Sequence, residues 1–400
     1  SNMNEMTAKA ALPACPVETT LTLIGDKWKV LILRDLMSGT KRFGELKKSI
    51  GHVTQKVLTA QLRDMEAKGL LTRKVYAEVP PRVEYTLTAT GYSLRPILDS
   101  MVAWGHGLSE AKRRRTMRSM RPDPAIRVRR LRIPTAQGSI PVLVLSPKAA
   151  PENAPGILWL HGGGYVAGMK EMVHMSRAVE LVKRFGAVVL SPGYRLALQA
   201  PYPAAMDDCY AALLYLRSHA AALGVRSDQL MVGGESAGGG LCAAVCIRAR
   251  DEGTVNVAFQ MPLYPMLDDR DTETSRDNHG RVWNTRRNHL AWRLYLRGRD
   301  RADLPPYAAP ARLTDFSGLP PAYSFVGDGE PFYAETVRYF AQLRAAGIPA
   351  ALDIYHTDLH AFDMMQPKTA LSQQAAAAFD RHFAWALAHC FAPQKTEKGA

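Results

Sequence analysis

Gln229-Leu230-Met231-Val232-Gly233-Gly234-Glu235-Ser236-Ala237-Gly238-Gly239 decides how this 400-residue chain is read. Gln229–Gly233 has the texture of a buried strand, and a helical pattern, Gly239–Glu252, follows at once. Between them stands Gly234-x-Ser236-x-Gly238. At a strand-to-helix junction the glycines permit a tight, strained turn that lifts the Ser236 hydroxyl above a sheet as a nucleophile elbow. The pentapeptide alone is a weak signal; its place in the chain gives it weight.

Outward from the elbow, strands and helices alternate. Strand-like runs cover Ile126–Ile133, Ile140–Ser146, Gly156–Leu160, Ala187–Pro192, Ala258–Tyr264, Ala322–Val326 and Ala350–Tyr355. Helical runs, among them Met206–Ala220, Tyr333–Ala346 and Thr369–Cys390, lie between or after them. That alternation predicts a mainly parallel sheet covered on both faces. His161-Gly162-Gly163-Gly164 directly follows the strand Gly156–Leu160. The Gly162 and Gly163 N–H groups are placed to receive an oxyanion, with the Ala237 N–H completing the hole, while His161 reads as a brace for the loop.

A serine nucleophile needs a base and an acid to orient it. In a fold of this kind both follow the serine, on loops after later strands. The loop after Ala322–Val326 carries Asp328 and Glu330, and the loop after Ala350–Tyr355 carries His356 and His360. His360 lies farther past its strand and is the better base. The choice between the two acids is open on position alone.

Over about residues 125–390 the chain resembles the hormone-sensitive-lipase-type esterases of the α/β-hydrolase superfamily. The resemblance rests on His161–Gly164, Ser191-Pro192-Gly193-Tyr194-Arg195-Leu196, Tyr202-Pro203-Ala204-Ala205, Gly234–Gly239 and His360-Ala361-Phe362. In that family the acid is usually an Asp followed by Pro and a bulky apolar residue. Glu330-Pro331-Phe332 matches the pattern, so the resemblance gives Glu330 the role; Glu235 also stands where the family usually has Asp. It implies ester hydrolysis by Ser236, His360 and Glu330 on small or short-acyl esters, with no metal and no organic cofactor. The polar, Arg- and Trp-rich segment Leu267–Pro310 is expected to form part of a lid; Trp283, Trp292 and Tyr295 are candidates to line an acyl or alcohol site, with plain packing the competing and commoner job for each.

The first hundred residues differ. Thr19–Met37 is predicted as one amphipathic helix, Phe43–Ile50 as a short one and Thr54–Lys68 as a third. Two strands, Leu70–Ala77 and Val83–Leu87, are predicted around Glu78-Val79-Pro80-Pro81-Arg82, a hairpin with Arg82 at its tip, and a helix from about Ala89 to His106 closes the segment. Three helices followed by a hairpin is the winged helix-turn-helix order, in which the third helix presents Gln55, Lys56, Thr59 and Arg63 to a major groove and Arg82 reaches a minor groove or phosphate. Cys15-Pro16-Val17-Glu18, Gly25-Asp26-Lys27-Trp28, Arg42-Phe43-Gly44-Glu45-Leu46 and Val79-Pro80-Pro81-Arg82-Val83-Glu84-Tyr85 resemble the HxlR family of transcriptional regulators over about 14–107. That resemblance implies a homodimer joined through its first and last helices, double-stranded DNA with a palindromic operator as partner, and a thiol-sensing role for Cys15.

Charge agrees with this division. The chain's net charge is +14, and residues 1–121 contribute 21 Lys/Arg against 11 Asp/Glu, which is most of that excess. A concentrated basic segment suits a polyanion. The fold class expected is therefore multidomain: an N-terminal winged helix, α+β and mostly helical, then an α/β-hydrolase fold with a mainly parallel sheet. The expected boundaries are a tag remnant and tail to residue 13, a DNA-binding domain over 14–110, a basic linker over 111–124 and a hydrolase domain over 125–392. No apolar run is long enough to span a membrane, and five scattered cysteines suit a reducing, cytoplasmic setting. Two other readings compete with the esterase-regulator: a transcription factor whose hydrolase-fold pocket only senses a ligand, and a basic module that only dimerises an enzyme.

Overall fold

The computed structural model describes residues 13–103, 105 and 120–396. Two compact units divide the chain, Ser1–Thr116 and Met117–Ala400. The first opens with α1 (Pro16–Ile24) and α2 (Lys27–Leu36), where the sequence predicts a single helix over Thr19–Met37. The break has a local cause: the Asp26 side chain accepts from Trp28 N–H at 2.7 Å and so caps a new helix after Gly25. Strand β1 (Lys41–Arg42), α3 (Phe43–Ile50) and α4 (Gln55–Ala67) follow, then β2 (Leu71–Tyr76) and β3 (Arg82–Leu87). The hairpin is thus one part of a three-stranded antiparallel sheet, order β1-β3-β2.

The last predicted helix is also divided, into α5 (Ala89–Tyr92) and α6 (residues 95–103), with a turn at 93–94 ahead of Pro96. Leu94 and Leu98 in this segment are buried, whereas Ile97 and Met101 are exposed. Trp104, His106 and residues 111–119 of the basic linker lie outside the described residues. Ile32, Leu33, Leu36, Leu58, Leu62 and Met65 form the centre of this unit's core.

In the second unit all eight predicted strands are present: β4 (Ile126–Thr135), β5 (Gly138–Pro147), β6 (Ala154–Leu160), β7 (Val188–Pro192), β8 (Val225–Glu235), β9 (Phe259–Leu263), β10 (Ala322–Gly327) and β11 (Ala350–Tyr355). They form one sheet in the order β11-β10-β9-β8-β6-β7-β5-β4. Only the pairings β4–β5 and β5–β7 are antiparallel; the rest are parallel. Helices α7 (Ala178–Phe185), α8 (Ala204–Ser218), α9 (Ala237–Glu252), α10 (Thr285–Tyr295), α11 (Tyr333–Ala345), α12 (Phe362–Met365) and α13 (Ala370–His389) complete it.

The alternation of side chains along a strand distributes the core between two faces. On β6, Leu158 and Leu160 pack with Leu213 of α8 and Leu241 and Val245 of α9. Ile157 and Trp159 pack on the opposite face with Val182 of α7 and Phe379 and Phe383 of α13. Buried on both faces, the central strands read as continuous apolar runs, which is why the sequence located them. The parallel strands all point their C-terminal ends the same way, and the loops there carry the candidate site.

Candidate active site

β8 ends at Glu235 and α9 begins at Ala237, so Ser236 alone makes the turn, at φ 60° and ψ −118°. A side chain at positive φ is strained, and fixed surroundings hold this one. Ser236 N–H donates to Leu263 O at 3.0 Å, and Met266 N–H donates to Ser236 O at 2.9 Å. The turn lies hard against the end of β6. A methyl group on Gly238 would stand 1.9 Å from Leu160 O, so only glycine fits there.

His360 and Glu330 arrive on the loops after β11 and β10. His360 Nε2 is 2.8 Å from Ser236 Oγ, and its Nδ1 is 2.6 Å from Glu330 Oε2. All three side chains are buried. Tyr264 and Phe332 lie edge-on to the imidazole, with ring centroids 5.2 and 5.1 Å away. These two aromatic neighbours were not singled out from sequence, although Phe332 belongs to the Glu330-Pro331-Phe332 pattern that did stand out. Asp328 is not bonded to His360: it sits 2.9 Å from Nδ1 of the exposed His356. That hydrogen bond holds the Asp328 carboxyl below its ordinary range.

The glycine loop faces the same serine. A methyl group on Gly162 would lie 3.3 Å from Ser236 Cβ. Gly163 adopts φ +125°, and a Cβ there would meet Ala167 O at 2.1 Å. Among the described residues the Gly162 and Gly163 N–H groups have no backbone acceptor, and Ala237 holds the first position of α9, where a helix leaves its N–H without an internal partner. His161 braces the loop. It stacks on Tyr194 at 4.2 Å and lies 2.7 Å, through Nδ1, from Gly162 O. Burial pushes its pKa down to about 4, so it is neutral at pH 7 and Nδ1–H is the donor.

Two further carboxyl groups sit behind the elbow. Glu235 accepts from Trp159 Nε1–H at 2.8 Å, and Asp363 accepts from the Tyr264 hydroxyl at 2.8 Å. Burial, and then the neighbouring Asp363 charge, raise Glu235 well above the usual carboxylate range; burial raises Asp363 as well. A chain of hydroxyl, imidazole and carboxylate beside unpaired N–H groups can activate a nucleophile and stabilise an oxyanion.

In the first unit, Gln55, Lys56 and Arg63 are exposed on α4, and Thr59 is half-buried with its hydroxyl bonded to Gln55 O. Arg82 is not at the tip of the hairpin. It pairs in register with Tyr76, stacks over that ring at 3.9 Å and faces Glu78 and Glu84. Cys15 is an exposed free thiol at the N-cap of α1. Sequence reading overlooked Lys29, a buried ammonium 2.5 Å from Asp64 that ties α2 to α4.

The sheet order, the elbow and the glycine loop define an α/β hydrolase carrying a helix-turn-helix unit. The chain belongs to the α/β-hydrolase-fold family, whose profile matches residues 157–364, and an HxlR-like helix-turn-helix profile matches residues 23–113. Esterase LipI of Mycobacterium tuberculosis is 32% identical over 243 residues, covering 60% of this chain and 76% of its own. The uncharacterized HTH-type transcriptional regulator YdeP of Bacillus subtilis is 50% identical over 91 residues, 23% of this chain and 71% of its own. Among solved structures, a bacterial heroin esterase superposes with a TM-score of 0.63 at 33% identity, covering 66% of this chain and 85% of that one. An esterase-type hydrolase domain and an HxlR-type regulator domain therefore share one chain. Among the described residues no helix is long and apolar enough to cross a membrane.

Proposed function

We propose that the second unit is a serine carboxylesterase acting on small or short-acyl esters. The observation that carries this reading is the hydrogen-bond chain Ser236–His360–Glu330 at a strained turn. Ser236 Oγ attacks the ester carbonyl as His360 Nε2 takes its proton. Glu330 holds the imidazole with Nδ1–H toward its carboxylate and stabilises the imidazolium that forms. Gly162, Gly163 and Ala237 N–H groups receive the oxyanion. His360 then protonates the leaving alcohol, and water, deprotonated by the same imidazole, releases the acid from Ser236. The segment 267–310 serves as a lid over this site. Comparison of wild type with Ser236→Ala on p-nitrophenyl acetate and butyrate tests the proposal; equal rates would sink it and leave a ligand-sensing pocket as the better reading.

For the first unit we propose a homodimer on a palindromic operator. Exposed apolar side chains on α1 (Val17, Leu21) and α6 (Ile97, Met101, Val102) support a dimer face. The exposed cations and amide of α4 support major-groove contact. Arg82 contributes only if a phosphate replaces Glu78 and Glu84 as its partner, and Cys15 serves as an accessible thiol sensor. The domain limits follow the sequence, with DNA binding over 14–110 and hydrolysis over 125–392, in a cytoplasmic protein with free thiols. A gel shift against the chain's own upstream region separates this from a module that only dimerises the enzyme.

A further inference from the structure

The loop around Trp283 is fastened at both ends. Thr285 N–H donates to Asn278 O at 3.1 Å, Asn284 Nδ2 donates to Gly280 O at 3.0 Å, and Asn278 Nδ2 reaches Gly329 O at 3.3 Å. Trp283 itself donates Nε1–H to Oδ1 of buried Asn288 at 3.1 Å. Its indole cannot turn without breaking that bond.

The far edge of this indole lies against the glycine loop. A methyl group on Gly164 would stand 2.2 Å from Trp283 Cη2. On another side the indole lies 6.3 Å from the Phe332 ring, which is itself edge-on to His360. Trp283 therefore bridges the glycine loop and the aromatic neighbour of the imidazole. Unlike Trp159 and Trp292, which are wholly enclosed, it keeps accessible surface. It packs against the same core as Trp292 and leaves part of its ring accessible beside the glycine loop.

The geometry points to Trp283 as the residue that sets the size of ester this site accepts, which rests on the serine-esterase reading above. A carbonyl about 3 Å from Ser236 Oγ, with its oxygen on the Gly162 and Gly163 N–H groups, sends a substituent past Gly164 and against the indole. A pinned aromatic ring does not yield to extra methylenes as a flexible side chain does. The substrates selected are esters of short acids and compact alcohols, acetates and their near homologues.

The test uses the full-length chain with Trp283→Ala and Trp283→Phe. kcat/KM is measured for p-nitrophenyl esters from acetate to octanoate, and for acetates of alcohols of increasing bulk. Trp283→Ala is expected to raise the large-to-small ratio in at least one series by roughly tenfold or more, and Trp283→Phe to raise it less. Unchanged ratios in both series overturn the proposal. If thermal melting shows that Trp283→Ala does not fold, Trp283→Phe decides by the direction of its ratio alone. A wild type that hydrolyses no ester better than Ser236→Ala overturns the esterase reading, and with it this one, before any Trp283 variant is needed.

Discussion

Glu330 Oε2 stands 2.6 Å from His360 Nδ1, while Asp328, two residues earlier on the same loop, faces the solvent-exposed His356 instead. One backbone turn thus sends two neighbouring acids to different histidines. Glu330→Gln is expected to lower kcat by about 10³–10⁴-fold, because an amide can stabilise the wrong tautomer and no longer offsets the imidazolium. Asp328→Asn is expected to change kcat less than about twofold, since an exposed ion pair contributes little. Steady-state rates on p-nitrophenyl acetate distinguish the two; a large loss in Asp328→Asn would reassign the acid.

Gly163→Ala tests the oxyanion loop. At φ +125° and with a carbonyl 2.1 Å from its new methyl, the loop must move. The expected cost is about 10²–10³ in kcat, with a smaller change in KM because the hole acts on the transition state. Slower trapping by a phosphonate ester, beside only a modest drop in thermal melting from the strained loop, is the accompanying measurement. Normal kcat with lower stability would leave Gly163 with a purely conformational role.

Glu235 makes stability depend on pH in a defined direction. Its carboxyl is raised by burial and by Asp363, against the opposing Trp159 N–H bond. Below about pH 4 the carboxyl is protonated in both folded and unfolded chains, and burying it costs least. As pH rises from the ordinary carboxylate range toward the raised folded value, the unfolded chain gains by ionising while the folded one does not, so stability falls until the folded value is passed. Glu235→Gln keeps an acceptor for Trp159 Nε1–H and removes the ionisation. Its urea midpoint, compared with wild type, is expected to improve as pH rises above the ordinary carboxylate range and to level off once the raised folded value is passed. A difference that stays constant as pH rises would refute the assignment.

In the first unit, exposed Arg63 and buried Lys29 separate binding from folding. Arg63→Ala is expected to weaken DNA binding and reduce the salt slope of log K by about one. Lys29→Met removes the ion pair between α2 and α4 while Asp64 keeps Lys68 at 2.9 Å, so it should lower stability modestly and leave that slope unchanged. Fluorescence anisotropy across a salt series and thermal melting read the two effects. An unaltered slope in Arg63→Ala would remove it from the contact face.

Much of the fold was legible because its signals are local. The central strands are apolar on both faces, so each one appeared within a few residues of its observed span. Thr19–Met37 misled because apolar spacing continued across Gly25, and the Asp26 cap that restarts the helix is a single hydrogen bond. Arg82 misled for a different reason. Its expected place at the tip of the hairpin suggested reach, whereas Tyr76, Glu78 and Glu84 fold it back onto the hairpin.

Sequence alone determined the turn at Ser236, the glycine run at 162–164 and the short set of loop residues from which the proposed base and acid are drawn. Those features depend on backbone freedom and chain order, both written locally. Only the tertiary structure brought His360 from 124 positions away to within 2.8 Å of Ser236 and set Glu330 against its far nitrogen. It also buried Glu235 beneath the elbow and fixed Trp283 against Gly164. Contacts across such separations depend on how sheet and helices pack, and no local pattern of residues encodes the distance between two side chains on different loops.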